Sequence, residues 1–302
     1  MNHTLARKEN PRAVFLWLLS LAFITLLVCQ GNTLSRAAYD SLVFAATKLV
    51  PSMFLFAIAT GIVSALPSGR SDKKIPLLKL PLPALPSLLI GLFSGFPMGA
   101  YAAKRLLDEG ALTQKEAEHL ASFSNNVSFA FLYFTVGELL KSQRAGLLLF
   151  VSGTLSSLIV GAVLSPKNIK TIQKSTPKSD ISIVAVISSA ITSAVNAMLV
   201  LCGYLTLFGT LAKGLTLFSL PTKVYTALLL FLEPSAAVRH LATLEGSTLP
   251  LFAFALGFSG FSILLQSLAL WQGKLSFSRL FFTRLLIGSL SAIITALLCA
   301  II

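Results

Sequence analysis

The sequence predicts an all-α, polytopic membrane protein with two inverted repeats and broken or re-entrant motif helices. Three observations carry that reading. The 302-residue chain is 55% hydrophobic and 12% charged, with a mean hydropathy of +0.83, the balance of a chain that lies mostly in lipid. Apolar runs recur at about 13–29, 38–66, 84–103, 120–140, 145–165, 181–212, 224–244, 249–271 and 278–302. One phrase also occurs twice, FSGFP at 93–97 and FSGFS at 258–262. Glycine and proline deep in an apolar run interrupt a helix, because proline lacks the N–H and its ring clashes with the preceding turn. Interrupted backbone survives in hydrocarbon only where protein covers it or a wet cavity adjoins it. A pair of such breaks, one per half, marks the centre of a repeat-built, transporter-like fold.

Taken in order, Arg7, Lys8 and Arg12 precede the run 13–29. Residues 30–36 carry no small-x-small cleavage pattern, so residues 1–37 read as an uncleaved anchor helix with its amino end in the cytoplasm. Residues 38–165 form the first repeat plus a linking span. Its loop 67–83 holds Arg70, Lys73, Lys74 and Lys79 against Asp72, with four prolines, and reads as cytoplasmic. Lys104, Arg105 and Lys115 follow the run 84–103. If that run crossed the membrane, the two basic stretches would face opposite sides. A re-entrant element broken at Gly95-Phe96-Pro97 keeps both inside; the alternative is a full span with a kink. The polar connector 108–119 has the capping-box spacing Thr113 to Glu116.

Residues 166–180 hold Lys167, Lys170, Lys174 and Lys178 against Asp180, a second basic cytoplasmic loop between the halves. Residues 181–302 form the second repeat. TKLVPSMFLF at 47–56 resembles TSAVNAMLVL at 192–201, and GALT at 110–113 resembles GKLS at 273–276, each with a hydroxyl residue where the next helix needs a cap. The run 145–165 has no counterpart after the second copy. One extra crossing turns that copy upside down.

Lys and Arg outnumber Asp and Glu by 24 to 11, a net +13. These charges cluster in short loops between apolar runs, which sets membrane orientation and excludes a nucleic-acid-binding surface. Cys29, Cys202 and Cys299 form no C-x-x-C pair and read as packed thiols, and His3, His119 and His240 are scattered. No metal site or cofactor is expected. No phosphate-binding loop, nucleophile elbow or zincin motif occurs, so the chain reads as a non-enzyme.

The candidate site gathers polar and helix-breaking residues within apolar runs. Ser94, Gly95, Phe96 and Pro97 form the first break, and Ser259 and Gly260 the second. The two breaks are expected to approach each other near the bilayer centre. Asn125 and Asn126 head the run 120–140, and Gln266 follows the second break. These amides either bind a polar ligand, cap a broken helix, or hold helices together. Glu233-Pro234 interrupts LLLFLEPSAAVRHL, with His240 seven residues on. Such a pair either relays a proton or lies at the interface, and Arg239 either snorkels or neutralises Glu233.

SGFPMGA at 94–100, LLDEGALTQKEA at 106–117 and FSNN at 123–126 together resemble the nucleoside-recognition, or Gate, superfamily, and within it the bacterial sporulation integral membrane proteins. Glu233, and Ser259-Gly260-Phe261-Ser262 through Gln266, resemble the second-half motifs of that group. The resemblance covers roughly 39–302. Phe96 replaces the usual tyrosine, Phe129 a proline and Leu264 a histidine, and the glycine-threonine motif is missing around Ser235–Ala237. The resemblance implies a multi-pass protein of the bacterial cell membrane, needed to form resistant spores. It also implies a domain distantly similar to concentrative nucleoside transporters. On that basis the chain is expected to act as a transporter or channel for an unknown small polar solute, with the lipid bilayer as its surroundings and room for a homo-oligomer. The rival expectation is a non-transporting scaffold for spore assembly. Iron transporters of the superfamily carry cysteine in their motifs, and neither break here does.

Overall fold

The computed structural model describes residues 11–65, 73–166, 182–246 and 248–301. These form helices joined by loops, with a single antiparallel bridge between Lys74 and Pro81 in place of any sheet. The helices are α1 (Pro11–Cys29), α2 (Gly31–Phe44), α3 (Val50–Ala65), α4 (Ala84–Phe93), α5 (Met98–Asp108), α6 (Gln114–Ser124), α7 (Gly137–Leu139), α8 (Gln143–Val163), α9 (Ile183–Gly214), α10 (Thr222–Leu232), α11 (Pro234–Thr243), α12 (Leu249–Phe258), α13 (Gly260–Leu270) and α14 (Phe277–Ile301).

Local chemistry explains the irregular places. Pro51 cannot donate and crowds the carbonyl four residues back, and the turn before it widens to a π-helix over Ala45–Leu49. Thr113 accepts from the Glu116 N–H and Glu116 returns the bond to the Thr113 N–H at 2.8 Å, completing the capping box. Gly110 (φ +69°) and Gly273 (φ +77°) take the left-handed conformation that lets α5 and α13 end. Thr113 and Ser276 then cap α6 and α14, as the GALT and GKLS spacing requires.

Among the described residues, four stretches are long and apolar enough to cross a membrane: Gln143–Val163, Ile183–Phe218, Leu249–Leu270 and Phe277–Ile301. A fifth arises if Ala13–Cys29 and Gly31–Leu49, bent by 102°, count as one. The chain is a multi-pass membrane protein. Exposed apolar side chains such as Trp17, Leu199 and Leu297 stud the outside, as a lipid-facing surface demands. Cys29 and Cys299 are exposed there as well, which corrects the expectation of packed thiols.

The helices α4 and α5 have 10 and 11 residues. At 1.5 Å per residue each reaches about half of a ~30 Å hydrocarbon core. They fold back on each other as a hairpin, with Gly91 against Gly99 so closely that a Cβ on Gly91 would lie 2.9 Å from the Gly99 Cα. That is the geometry of a re-entrant element. The helices α10 and α11 make a second hairpin, clasped by Thr226 and His240 (2.9 Å) and by the Tyr225 ring against the His240 ring (4.9 Å). The order long helix, hairpin, interrupted helix, long helix therefore occurs twice, over α3–α8 and α9–α14. The two FSGF phrases occupy different places in this order: the first is a hairpin tip, the second the break between α12 and α13. Both sites need glycine in a left-handed turn, Gly95 at φ +87° and Gly260 at φ +67°, and that shared local demand accounts for the shared letters. The loop segments 67–72 and 167–180, expected to face the cytoplasm, lie outside the described residues.

Candidate functional site

Four helix breaks meet in the interior. The first is the α4–α5 tip, Ser94–Pro97. Ser94 closes α4 through its N–H to the Ile90 carbonyl (2.8 Å). The Phe96–Pro97 peptide is cis, and Gly95 abuts Ser128, whose Cβ would lie 2.7 Å from a Cβ added to the glycine. Only glycine fits both the turn and the contact.

The second break follows α6. Asn125 leaves the helix at φ −81°, ψ 76°. Its Oδ1 accepts from the Ala100 N–H (3.4 Å) in the first turn of α5, and its Nδ2 donates to Ser267 Oγ (3.0 Å) on α13. Asn126 donates its N–H to the Gly91 carbonyl (3.2 Å), so the second break is bonded to α4, one turn before the first. Trp271 Nε1 reaches the Ala100 carbonyl at 3.0 Å, another tie from α13 to α5.

The third break is Glu233-Pro234, the α10–α11 tip. Glu233 is fully buried and accepts from the N–H groups of Ser235 (3.0 Å) and Ala236. It thus caps α11, with Pro234 at the first helical position, where a missing N–H costs nothing. The fourth is Ser259, left-handed at φ +74° between α12 and α13. A non-glycine residue there is strained by about 1–2 kcal/mol, so its neighbours must hold it. Gly260 lies against the third break: an added Cβ would meet Pro234 Cδ at 2.9 Å and the Leu232 carbonyl at 3.0 Å.

Arg284 of α14 ties these breaks together. It is 2% exposed. Its Nη1 donates to Asn126 Oδ1 (2.9 Å), which also accepts from Ser157 Oγ (2.8 Å) of α8. Its Nη2 donates to Ser259 Oγ, and its guanidinium carbon lies 5.8 Å from the Phe96 ring centroid. One side chain therefore touches the first, second and fourth breaks. Among the described residues, no carboxylate forms an ion pair with Arg284. Arg284 Nε, Asn126 Nδ2, Ser262 Oγ and both amide atoms of Gln266 are buried without a hydrogen-bond partner in the protein. Ser262 and Gln266 stand four residues apart on one face of α13, which Ser259 precedes.

Two cavities flank this cluster. One has a free volume of about 40 Å³ and is lined by Phe96, Ser128, Glu233 and Ser235 among others. The other, about 20 Å³, is lined by Asn126, Gly257, Ile287 and Ser291. Val127 and Leu256 belong to both and form the wall between them. Ile287 and Ser291 lie three and seven residues past Arg284, on the same face of α14.

All ten expected site residues are buried. Phe96, Asn126 and Ser259 meet on Arg284, with Ser94, Gly95 and Pro97 in the same turn as Phe96. Asn125 works as a cap and a brace, two of the three roles its position left open. Gly260 joins the second FSGF turn to Glu233-Pro234. Gln266 shares the Ser262 face of α13. Glu233 and His240 do not pair: the carboxylate caps α11, while the imidazole clasps Thr226 across the hairpin. Arg239 lies 4.6 Å above the Phe44 ring. The sequence reading missed Arg284. Its signal was a lone arginine inside the apolar run 278–302, and ionisable residues at membrane depth mark functional sites.

No family profile matches the chain, and no solved structure matches it. Among curated proteins it is similar to the sporulation integral membrane protein YlbJ of Bacillus subtilis (strain 168), 29% identical over 255 residues, which is 70% of this chain. The chain spans 62% of that relative's length.

Proposed function

We propose that this chain is a sporulation-associated membrane protein of the Gate type, which carries a small polar solute bearing an anionic group through the Arg284 cluster. One observation carries this reading: a buried arginine with no carboxylate partner among the described residues, surrounded by orphan polar atoms. A buried charge is costly unless paired, and unmatched buried donors and acceptors cost about 1–3 kcal/mol each. A small anion with further polar atoms would answer both demands. The repeated element order supports two inverted repeats, with α3 packed on α9 and α8 on α14, as a two-fold axis in the membrane plane would produce. The likeness to a sporulation protein supports the cellular setting. In this reading the amino terminus is cytoplasmic, the chain moves its solute without converting it, and no cofactor takes part.

The test is spore resistance measured together with protein abundance, for Arg284→Met and Gln266→Leu, in a spore former lacking its own relative. Both variants should lose resistance at normal abundance. Normal resistance at normal abundance would contradict the site. A loss of resistance that only follows a loss of protein would assign both residues to packing and favour a scaffold.

A further inference from the structure

We propose that the central site is reached from a positively biased vestibule between α2, the π-helical turn Phe131–Val136 and α11, past Phe131, with Arg239 as the outer selectivity residue. This route rests on reading the Arg284 cluster as a solute site.

Three spaces line up. The outermost has a free volume of about 390 Å³ and is lined by Phe44, Lys48, Glu138 and Arg239 among others. It shares Phe131 and Ser235 with the 40 Å³ cavity at Phe96 and Glu233. That cavity shares Val127 and Leu256 with the 20 Å³ cavity at Asn126. The spaces narrow inwards, and each junction is a named pair of side chains. Ser235, Val238 and Arg239 stand at i, i+3 and i+4 on α11, so one face of that helix runs from the vestibule to the hairpin tip.

The junction at Phe131 is aromatic. Phe131 meets Phe44 edge-on with centroids 6.5 Å apart, and Arg239 stacks on the same Phe44 ring. Arg239 Nη1 is buried without a hydrogen-bond partner. The vestibule's charged residues are Lys48, Arg239 and Glu138, two cations to one carboxylate. A narrow mouth with low-dielectric walls concentrates the field of such groups and draws in the opposite charge. The mouth therefore favours anions before they reach Arg284.

The experiment uses the full chain in detergent, with Cys29, Cys202 and Cys299 replaced by serine and one new cysteine at a time, Ser235→Cys or Val127→Cys. Modification rates are read with an anionic sulfonatoethyl and a cationic trimethylammonioethyl methanethiosulfonate, each normalised to its rate with a free thiol. At Ser235→Cys the anionic reagent should react at least several-fold faster, and Arg239→Gln should erase the preference. Val127→Cys, behind the constriction, should react about tenfold more slowly than Ser235→Cys, and Phe131→Ala should close that gap. Phe131→Leu serves as a milder variant if the alanine chain does not fold. Equal normalised rates for the two reagents at Ser235→Cys would overturn the selectivity role. Rates at Val127→Cys that ignore the size of residue 131 would overturn the route. Accessibility is read without flux. Failed uptake with these rates as expected would sink the transport reading and leave the route, and the converse would sink the route alone.

Discussion

Asn126 Oδ1 accepts from both Ser157 and Arg284, so a single oxygen braces α8 and α14 against the second break. Asn126→Leu removes that acceptor at nearly the same size and leaves a buried cation with one bond fewer, a loss of about 1–3 kcal/mol. Asn126→Asp keeps the acceptor and adds the opposite charge. Thermal unfolding of the detergent-solubilised chain should therefore rank wild type and Asn126→Asp above Asn126→Leu. A leucine variant that melts with the wild type would show that the oxygen braces nothing. The residue scale was also the hardest to read in the sequence. Ser94, Asn126, Ser259 and Gln266 announced themselves because polar atoms inside apolar runs stand out. Arg284 did not, because one arginine near the start of a span looks the same whether it snorkels outwards or turns in, and only packing decides. Glu233 and His240 share a helical face on paper, but the break at Pro234 starts a new helix between them, which voids the seven-residue periodicity.

At the scale of elements, the long helices meet through small residues. An added Cβ on Gly257 would lie 2.8 Å from the Gly288 Cα, and one on Gly288 would lie 2.8 Å from the Phe258 N. Both contacts are with backbone, which cannot swing aside, so Gly257→Ala and Gly288→Ala should each cost about 1–3 kcal/mol by overpacking α12 against α14. Gly153 on α8 has nothing within 4 Å of the same position, and Gly153→Ala should be neutral or stabilising through its better helix propensity. Unfolding midpoints of the three variants check this; a Gly153→Ala variant as damaged as the other two would contradict it. The caps and connectors were legible in the sequence, since a capping box and a glycine exit act within a few residues. The hairpins were legible only in part. The break at Gly95–Pro97 suggested a turn back, whereas Glu233-Pro234 gave no sign of one, because the clasp between Thr226 and His240 joins residues 14 apart. The repeated FSGF phrase pointed to two real breaks, which stand at different places in the element order and share letters because both turns ask for the same residues.

For the whole molecule, composition and the apolar runs were enough to establish an all-α, multi-pass protein, because lipid constrains every span in the same way. The way the breaks converge depends on contacts between distant segments, such as Asn125 with Ser267 and Asn126 with Arg284, which no local pattern encodes. If α4–α5 is re-entrant, the basic stretches 67–83 and 166–180 both face the cytoplasm. Cysteines introduced at Lys74 and Lys174 should then stay unlabelled by an impermeant maleimide added to intact cells, and labelling of either from outside would reverse the topology. The central claim, that the four breaks form a solute site around Arg284, is tested most directly by uptake into liposomes carrying the full chain. Small carboxylates and inorganic phosphate would be offered to wild type and to Arg284→Met at matched reconstitution. The account predicts saturable uptake of at least one of these anions by the wild type and at least a tenfold loss in the variant. Equal uptake by the variant, or none by the wild type, would contradict it.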